Sequence, residues 1–178
     1  MTPLNICPIA VPHIASFREC LDAVARERRW LAQVEAPPLE RVEGFVRQGI
    51  EAGVAQFVAL DGERVVGWAD IFPSWAAAVS HCGSLGMGVL APYRRQGLGE
   101  RLLRACIGKA QLQGLTRIEL EARADNAAAL ALYRRVGFVQ EAVKRRAMRF
   151  DGVYFDSVLM SLLADEAGPC GPAYSCSR

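Results

Sequence analysis

Two rhythms of apolar spacing divide the chain. Residues 4–9 are mostly apolar and stop near Pro8, which predicts a short first strand. From about 12 to 32, Ile14, Phe17, Leu21, Val24 and Ala25 recur at helical spacing, and the charged stretch from Arg26 to Arg29 suits a helix C-terminus. Pro37 and Pro38 break that pattern. A second helix over 39–51 is expected to turn Val42, Phe45, Val46 and Ile50 to one side, with Gly53 as its stop.

The period then shortens. Ala55 to Leu60 and Arg64 to Phe72 read as two strands around a tight turn at Asp61-Gly62. Residues 79–89 read as a third, with Gly83, Gly86 and Gly88 in it; such a run signals a bulge, a close backbone approach or a glycine-tolerant edge. Leu98 to about Gln113 is an amphipathic helix with Leu98, Leu102, Ala105, Cys106 and Ala110 on one face, and Gly114 stops it. In 116–122 the alternation is strict: Ile118, Leu120 and Ala122 on one face, Arg117, Glu119 and Glu121 on the other. Asp125 or Asn126 caps a further helix carrying Leu130, Tyr133 and Val136 inward, closed by Gly137. Segments 138–149 and 153–162 form a last hairpin around Asp151-Gly152. The order β-α-α-β-β-β-α-β-α-β-β predicts a mixed α/β fold with helices on both faces of one sheet. Residues 1–163 are expected to form a single domain. The tail 164–178 has no periodicity and is expected to be irregular.

Composition narrows the class. A chain of 178 residues, 52% hydrophobic and 22% charged, suits one domain with a real core. A net charge of +2 gives no general basis for binding nucleic acid. The run Lys144-Arg145-Arg146 reads as a solvated strand or turn. The six cysteines show no metal-type spacing, two histidines argue against a histidine-rich metal centre, and no apolar stretch approaches the roughly 20 residues needed to cross a bilayer. With no leader-like start, a cytoplasmic setting is expected.

The candidate chemistry concentrates at two places. Between the third strand of the central set and the next helix runs Met87-Gly88-Val89-Leu90-Ala91-Pro92-Tyr93-Arg94-Arg95-Gln96-Gly97-Leu98-Gly99. A basic, glycine-containing loop that opens a helix offers unpaired N–H groups and the positive end of a helix dipole, an anion site suited to a phosphate or pyrophosphate. Gly97 and Gly99, lacking Cβ, would let a ligand approach the backbone. The loop is neither a Walker P-loop nor a dinucleotide fingerprint. The second place is Asn126, with Tyr133 two helical turns on and Gly137-Phe138 after it. A tyrosine hydroxyl at a cleft mouth can give a proton to a leaving anion; the same ring serves equally as a core aromatic.

These two motifs together strongly resemble the GNAT superfamily of acyl-CoA-dependent N-acetyltransferases, over about residues 4 to 163. The last hairpin, with Asp151-Gly152-Val153-Tyr154-Phe155-Asp156, looks like the branch with amino-acid, antibiotic-type and ribosomal-protein-alanine acetyltransferases. The resemblance implies a three-layer α/β/α fold whose mixed sheet of about seven strands splays between the fourth and fifth. It implies acetyl-CoA as co-substrate, its pantetheine arm paired with the backbone of Met87, Gly88 and Val89 like an added strand, and Val89 N–H polarising the thioester carbonyl. The loop Arg94, Arg95, Gln96, Gly97, Leu98 and Gly99 would hold the pyrophosphate, Asn126 would contact the cofactor arm, and Tyr133 would protonate the departing thiolate. Glu121 matches the position of a glutamate base in some relatives; Glu119 shares its face, and Asp70 and His81 are further candidates. Trp30, Glu35 and Trp75 fall in segments expected to line the acceptor site. The acceptor expected from the branch is an amino acid or related small amine, then a peptide or ribosomal-protein N-terminus. A non-catalytic acyl-CoA sensor is the competing class. Many relatives pair as dimers through terminal strands, and the resemblance leaves a homodimer open here.

Overall fold

In the computed structural model, residues 4–164 are described. The expected tail therefore lies outside the described residues from 165 onward. The strands are β1 (Asn5–Pro8), β2 (Ala55–Asp61), β3 (Arg64–Pro73), β4 (Cys82–Val89), β5 (Arg117–Arg123), β6 (Val139–Phe150) and β7 (Val153–Leu163). The α-helices are α1 (Ile14–Ala25), α2 (Leu39–Glu51), α3 (Leu98–Leu112) and α4 (Ala127–Val136). They build one seven-stranded sheet in the order β1-β2-β3-β4-β5-β7-β6, antiparallel except between β4 and β5.

That parallel pair decides the shape of the molecule. β4 meets β5 over Cys82↔Arg117, Gly83↔Ile118 and Ser84↔Glu119, and pairing ends there although both strands run on. β4 meanwhile keeps an unshifted register with β3 from Pro73↔Gly83 to Gly67↔Val89. The sheet is thus split from Leu85 to Val89 on the β5 side. The expected splay is present.

Helices cover both faces. On one, Phe17 of α1 meets the Trp68 ring edge-on at 5.8 Å and Phe45 of α2 stacks on Phe72 at 4.6 Å. On the other, α3 buries Leu102, Leu103 and Cys106, and Cys106 Sγ donates to the Ala55 carbonyl at 3.1 Å. The glycines of β4 make room on the first face. A Cβ at Gly88 would lie 2.2 Å from the Trp68 ring, and one at Gly86 would lie 2.8 Å from Asp70 Oδ1. The run is a close approach by cross-strand side chains, and the register shows no bulge.

Two expected boundaries move, and one expected face differs. The first helix ends at Ala25 rather than near 32, because the charged residues after it find partners elsewhere in the fold. Asp22 accepts from Arg26 Nε at 2.6 Å and from the Ala36 amide at 2.9 Å, which folds the chain back, and Arg28 takes a left-handed φ of 48°. The third central strand starts at Cys82, after a 3₁₀ turn over Ala77–Val79. On α2, Val42 and Val46 are buried, whereas Phe45 and Ile50 each stay 41% exposed. The final turn is as expected: Asp151 and Gly152 both have positive φ, 48° and 86°, as a two-residue hairpin turn requires.

Candidate active site

The split in the sheet opens a cleft of about 710 Å³, within the size range of small-molecule sites. Its walls come from the end of β4, the loop into α3 and the first turn of that helix, the end of β5, α4, and the end of α1 with the segment after it. The β4 wall is defined by strand alternation. Leu90 N–H donates to Val66 O and Ser74 N–H donates to Cys82 O, so even-numbered β4 residues face β3. His81 O accepts from Thr116 and Arg117, on the β5 side. Past Ser84 the odd-numbered residues therefore aim their backbone groups into the gap, those of Met87 and Val89 among them. The Val89 carbonyl accepts from Arg94 Nε at 2.7 Å. Its N–H stays turned to the cleft.

At the far end stands the α3 N-terminus. Gly97 is its cap residue with a φ of 76°, and Arg95 before it has a φ of 61°. This left-handed bend turns the first-turn amides of α3 towards the cleft, and no side chain caps them. A Cβ at Gly97 would meet open space, so backbone conformation alone selects glycine there. Gly99 has a different reason. A Cβ there would stand 3.2 Å from Leu132 and 3.4 Å from Met87, so its absence lets α3 pack against α4 and β4. Leu98 is buried in the core at 1% exposure, and Gln96 Nε2 donates to the Pro92 carbonyl at 2.8 Å. Neither side chain lines the cleft.

Arg94 is engaged on two sides. Besides Val89, its guanidinium binds both carboxylate oxygens of Glu27 at 2.9 and 2.5 Å. It thereby ties the segment after α1 to the end of β4. Two residues absent from the sequence-based site lie at this end: Glu100, in the first turn of α3, and Arg135 on α4, paired with it at 3.1 Å. Arg135 sits two residues past Tyr133, and its own sequence context carried no signal of this.

The middle of the cleft holds the groups that can move protons. Tyr133, 8% exposed, reaches it from α4, its ring 5.9 Å from Phe138. Burial pushes the phenol up to about 12, with no hydrogen bond contributing among the described residues. Asn126 accepts from Ala129 N–H at 3.2 Å and so caps the helix that carries Tyr133. Glu121 enters from β5. Its Oε1 accepts from Lys144 Nζ at 2.6 Å and its Oε2 from Ser157 Oγ at 3.1 Å. The small serine of the intervening β7 lets Lys144 of β6 reach across. The same pattern recurs along the sheet, where Arg117 binds Glu141 and Ser161 donates to Glu141 at 2.6 Å.

The other candidates are placed apart. Glu119 accepts from Arg117 Nε at 2.6 Å, outside the cleft. Asp70 is partly buried on the α1–α2 face opposite Gln56, and desolvation, partly offset by the Gly86 amide, pushes its carboxyl up to about 7. His81 is exposed before β4, Trp75 is almost wholly exposed at 97%, and Glu35 lies 3.6 Å from Arg26 at the surface. Of the proposed acceptor residues only Trp30 lines the cleft, with Val24 and Leu31 beside it.

Residues 19–138 match the acetyltransferase (GNAT) family. The chain belongs to that family. Its fold superposes on an acetyltransferase of the GNAT family from Streptococcus pneumoniae with a TM-score of 0.84 at 26% identity, covering 90% of this chain and 99% of that one. An acetyltransferase from Salmonella typhimurium, solved with acetyl-CoA, gives a TM-score of 0.85 at 19% identity over 95% of this chain and 99% of that one. In sequence, the chain is 39% identical over 70 residues to the [ribosomal protein bS18]-alanine N-acetyltransferase of Escherichia coli, 39% of this chain and 47% of that protein. It is 46% identical over 66 residues to the N-alpha-acetyltransferase RimI of Mycobacterium tuberculosis, 37% of this chain and 40% of that protein. These matches span about half the length of the curated relatives or less. No helix among the described residues is long and apolar enough to cross a membrane.

Proposed function

We propose that this chain transfers the acetyl group of acetyl-CoA to the α-amine of a polypeptide by direct attack, with no acyl-enzyme. One observation carries the reading: the split between β4 and β5 presents open backbone groups of Met87 and Val89 on one side and Glu121 on the other, and Tyr133 of α4 lines the same cleft. The thioester arm would lie along β4 as an added strand, the Val89 N–H would meet the developing oxyanion, and the α3 N-terminus with Arg95 would hold the pyrophosphate. The amine nitrogen forms its bond to the carbonyl carbon and the C–S bond breaks. Glu121 takes the proton that the nitrogen loses, and the Tyr133 hydroxyl donates to the departing sulfur.

The polypeptide acceptor is supported by the relatives, which are named for acetylating protein α-amines. A free amino acid or similar small amine is the second reading. The enclosure of the acceptor end by Val24, Trp30 and Leu31 favours it. The four cysteines among the described residues are free thiols, which suits the reducing, cytoplasmic setting of this proposal. The test is a thiol-release assay with acetyl-CoA over peptides of varied first residue, amino acids, polyamines and aminoglycosides. Release with peptides supports the proposal, and release with small amines alone replaces the acceptor class. Tight acetyl-CoA binding with no release from any of them overturns turnover in favour of a sensor.

A further inference from the structure

Two residues beyond Glu121, on the same face of β5, Arg123 is buried at 5% exposure. Its Nε donates to Asp125 Oδ1 at 2.7 Å, and its Nη2 donates to the other oxygen of that carboxylate. Asp125 is about half exposed, so water shares in holding its charge. The in-plane pairing leaves both flat sides of the guanidinium free. The Phe155 ring of β7 lies 3.7 Å from the guanidinium carbon, the Trp30 ring 5.4 Å and the Phe150 ring 5.9 Å. Arg29 covers Trp30 from elsewhere at 4.4 Å. A second tie runs alongside, from Arg28 to Asp151 of the hairpin turn at 2.8 Å.

The segment from Arg26 to Pro38 contains neither helix nor strand. Its path over the cleft is therefore set by side-chain anchors, of which Trp30 is the largest. We propose that Arg123 is a positioning residue for the acceptor: its guanidinium faces hold Trp30 against the β6–β7 hairpin and so form the cleft wall beside Glu121. Arginine suits this task because its plane stacks on rings while its edge binds a carboxylate; lysine has the charge without the plane. The role of the wall rests on the acetyl-transfer reading above. The stack itself does not.

The test separates the two. In a Trp75→Phe background, the remaining tryptophans are Trp68, buried at 5% exposure, and Trp30. Acrylamide quenching of the accessible emission then reports on Trp30. Arg123→Met is expected to increase that quenching, and Arg123→Lys to restore little of the protection. With an alanine-first hexapeptide as acceptor, KM should rise roughly tenfold, while kcat and the Kd for acetyl-CoA stay within about twofold. Trp30→Ala should reproduce the KM effect at unchanged Tm, and adding Arg123→Met to it should worsen KM no further. Unchanged quenching in Arg123→Met overturns the proposal. So does a parallel loss of kcat and acetyl-CoA affinity, or full additivity in the double variant. If the unaltered protein acetylates no peptide, the acceptor reading fails, and quenching still decides the stack.

Discussion

Tyr133→Phe removes one oxygen from the centre of the cleft and nothing else. The ring contact with Phe138 at 5.9 Å survives the change. The hydroxyl has no hydrogen-bond partner contributing among the described residues, so its loss orphans no neighbour, and folding stability should change by less than about 1 kcal/mol. Its effect on catalysis follows from acidity. Burial holds the phenol up to about 12. Against a thiol near about 8.5, complete proton transfer to sulfur is uphill by roughly 5 kcal/mol. The hydroxyl then acts mainly by donating a hydrogen bond to the forming thiolate, worth about 1.5–3 kcal/mol. That converts to a fall in kcat of roughly 10- to 150-fold, below the upper range for general acid catalysis. Acetyl-CoA affinity, measured by calorimetry, should be unchanged. The raised value also keeps the donor protonated: no alkaline limb assignable to Tyr133 should develop below about pH 10. Thiol release measured from pH 6 to 10 with both proteins checks each point. Full activity in Tyr133→Phe removes Tyr133 from the mechanism. A loss beyond about ten-thousandfold at intact affinity, or a limb below pH 10 that vanishes in the variant, refutes the acidity argument.

Three further outcomes are expected. Glu121→Gln should lower kcat by roughly 10²- to 10⁴-fold with little change in acetyl-CoA Kd, because the partially exposed amide can still meet Ser157 but takes no proton; an unchanged kcat would sink the assignment of the base. Asp70→Asn should stabilise the fold at pH 8. Its carboxyl is raised from 3.8 to about 7, so the native state holds the proton longer than the unfolded chain, and stability is lost as pH rises through that window, by up to about 4 kcal/mol. Thermal unfolding of both proteins should give a Tm difference that grows from pH 4 to pH 8; a constant difference contradicts it. Gly97→Ala should cost about 1–2 kcal/mol, because an L-residue is forced to a φ of 76° while its Cβ meets nothing. Its KM for acetyl-CoA should rise as the anion site relaxes; a Tm equal to that of the unaltered protein would show that the bend is not strained.

Much of this molecule is determined by its sequence alone, and the reason is periodicity. Strict alternation in 116–122 buries Ile118, Leu120 and Ala122 and leaves Glu121 on the opposite face. Helical spacing predicts the burial of Leu98, Leu102, Cys106 and Ala110 in α3 and of Leu130 and Tyr133 in α4, though it misses Leu103 and Ile107, and two motifs point to the family and to one cleft. Local pattern carries such information because each side chain's direction follows from its own strand or helix. What only the tertiary structure decides are contacts between segments distant in sequence. The arginines after α1 leave the helix because Glu27 meets Arg94 and Arg28 meets Asp151, 67 and 123 residues away. Lys144 belongs to a run that reads as solvated surface, yet it binds Glu121 across β7 because the strand order inserts β7 between β5 and β6. Arg123 is buried because Trp30, Phe150 and Phe155 converge on it from two separate parts of the chain. No local period records such pairings. They follow from the order in which the strands are laid side by side and from the place where β4 and β5 part.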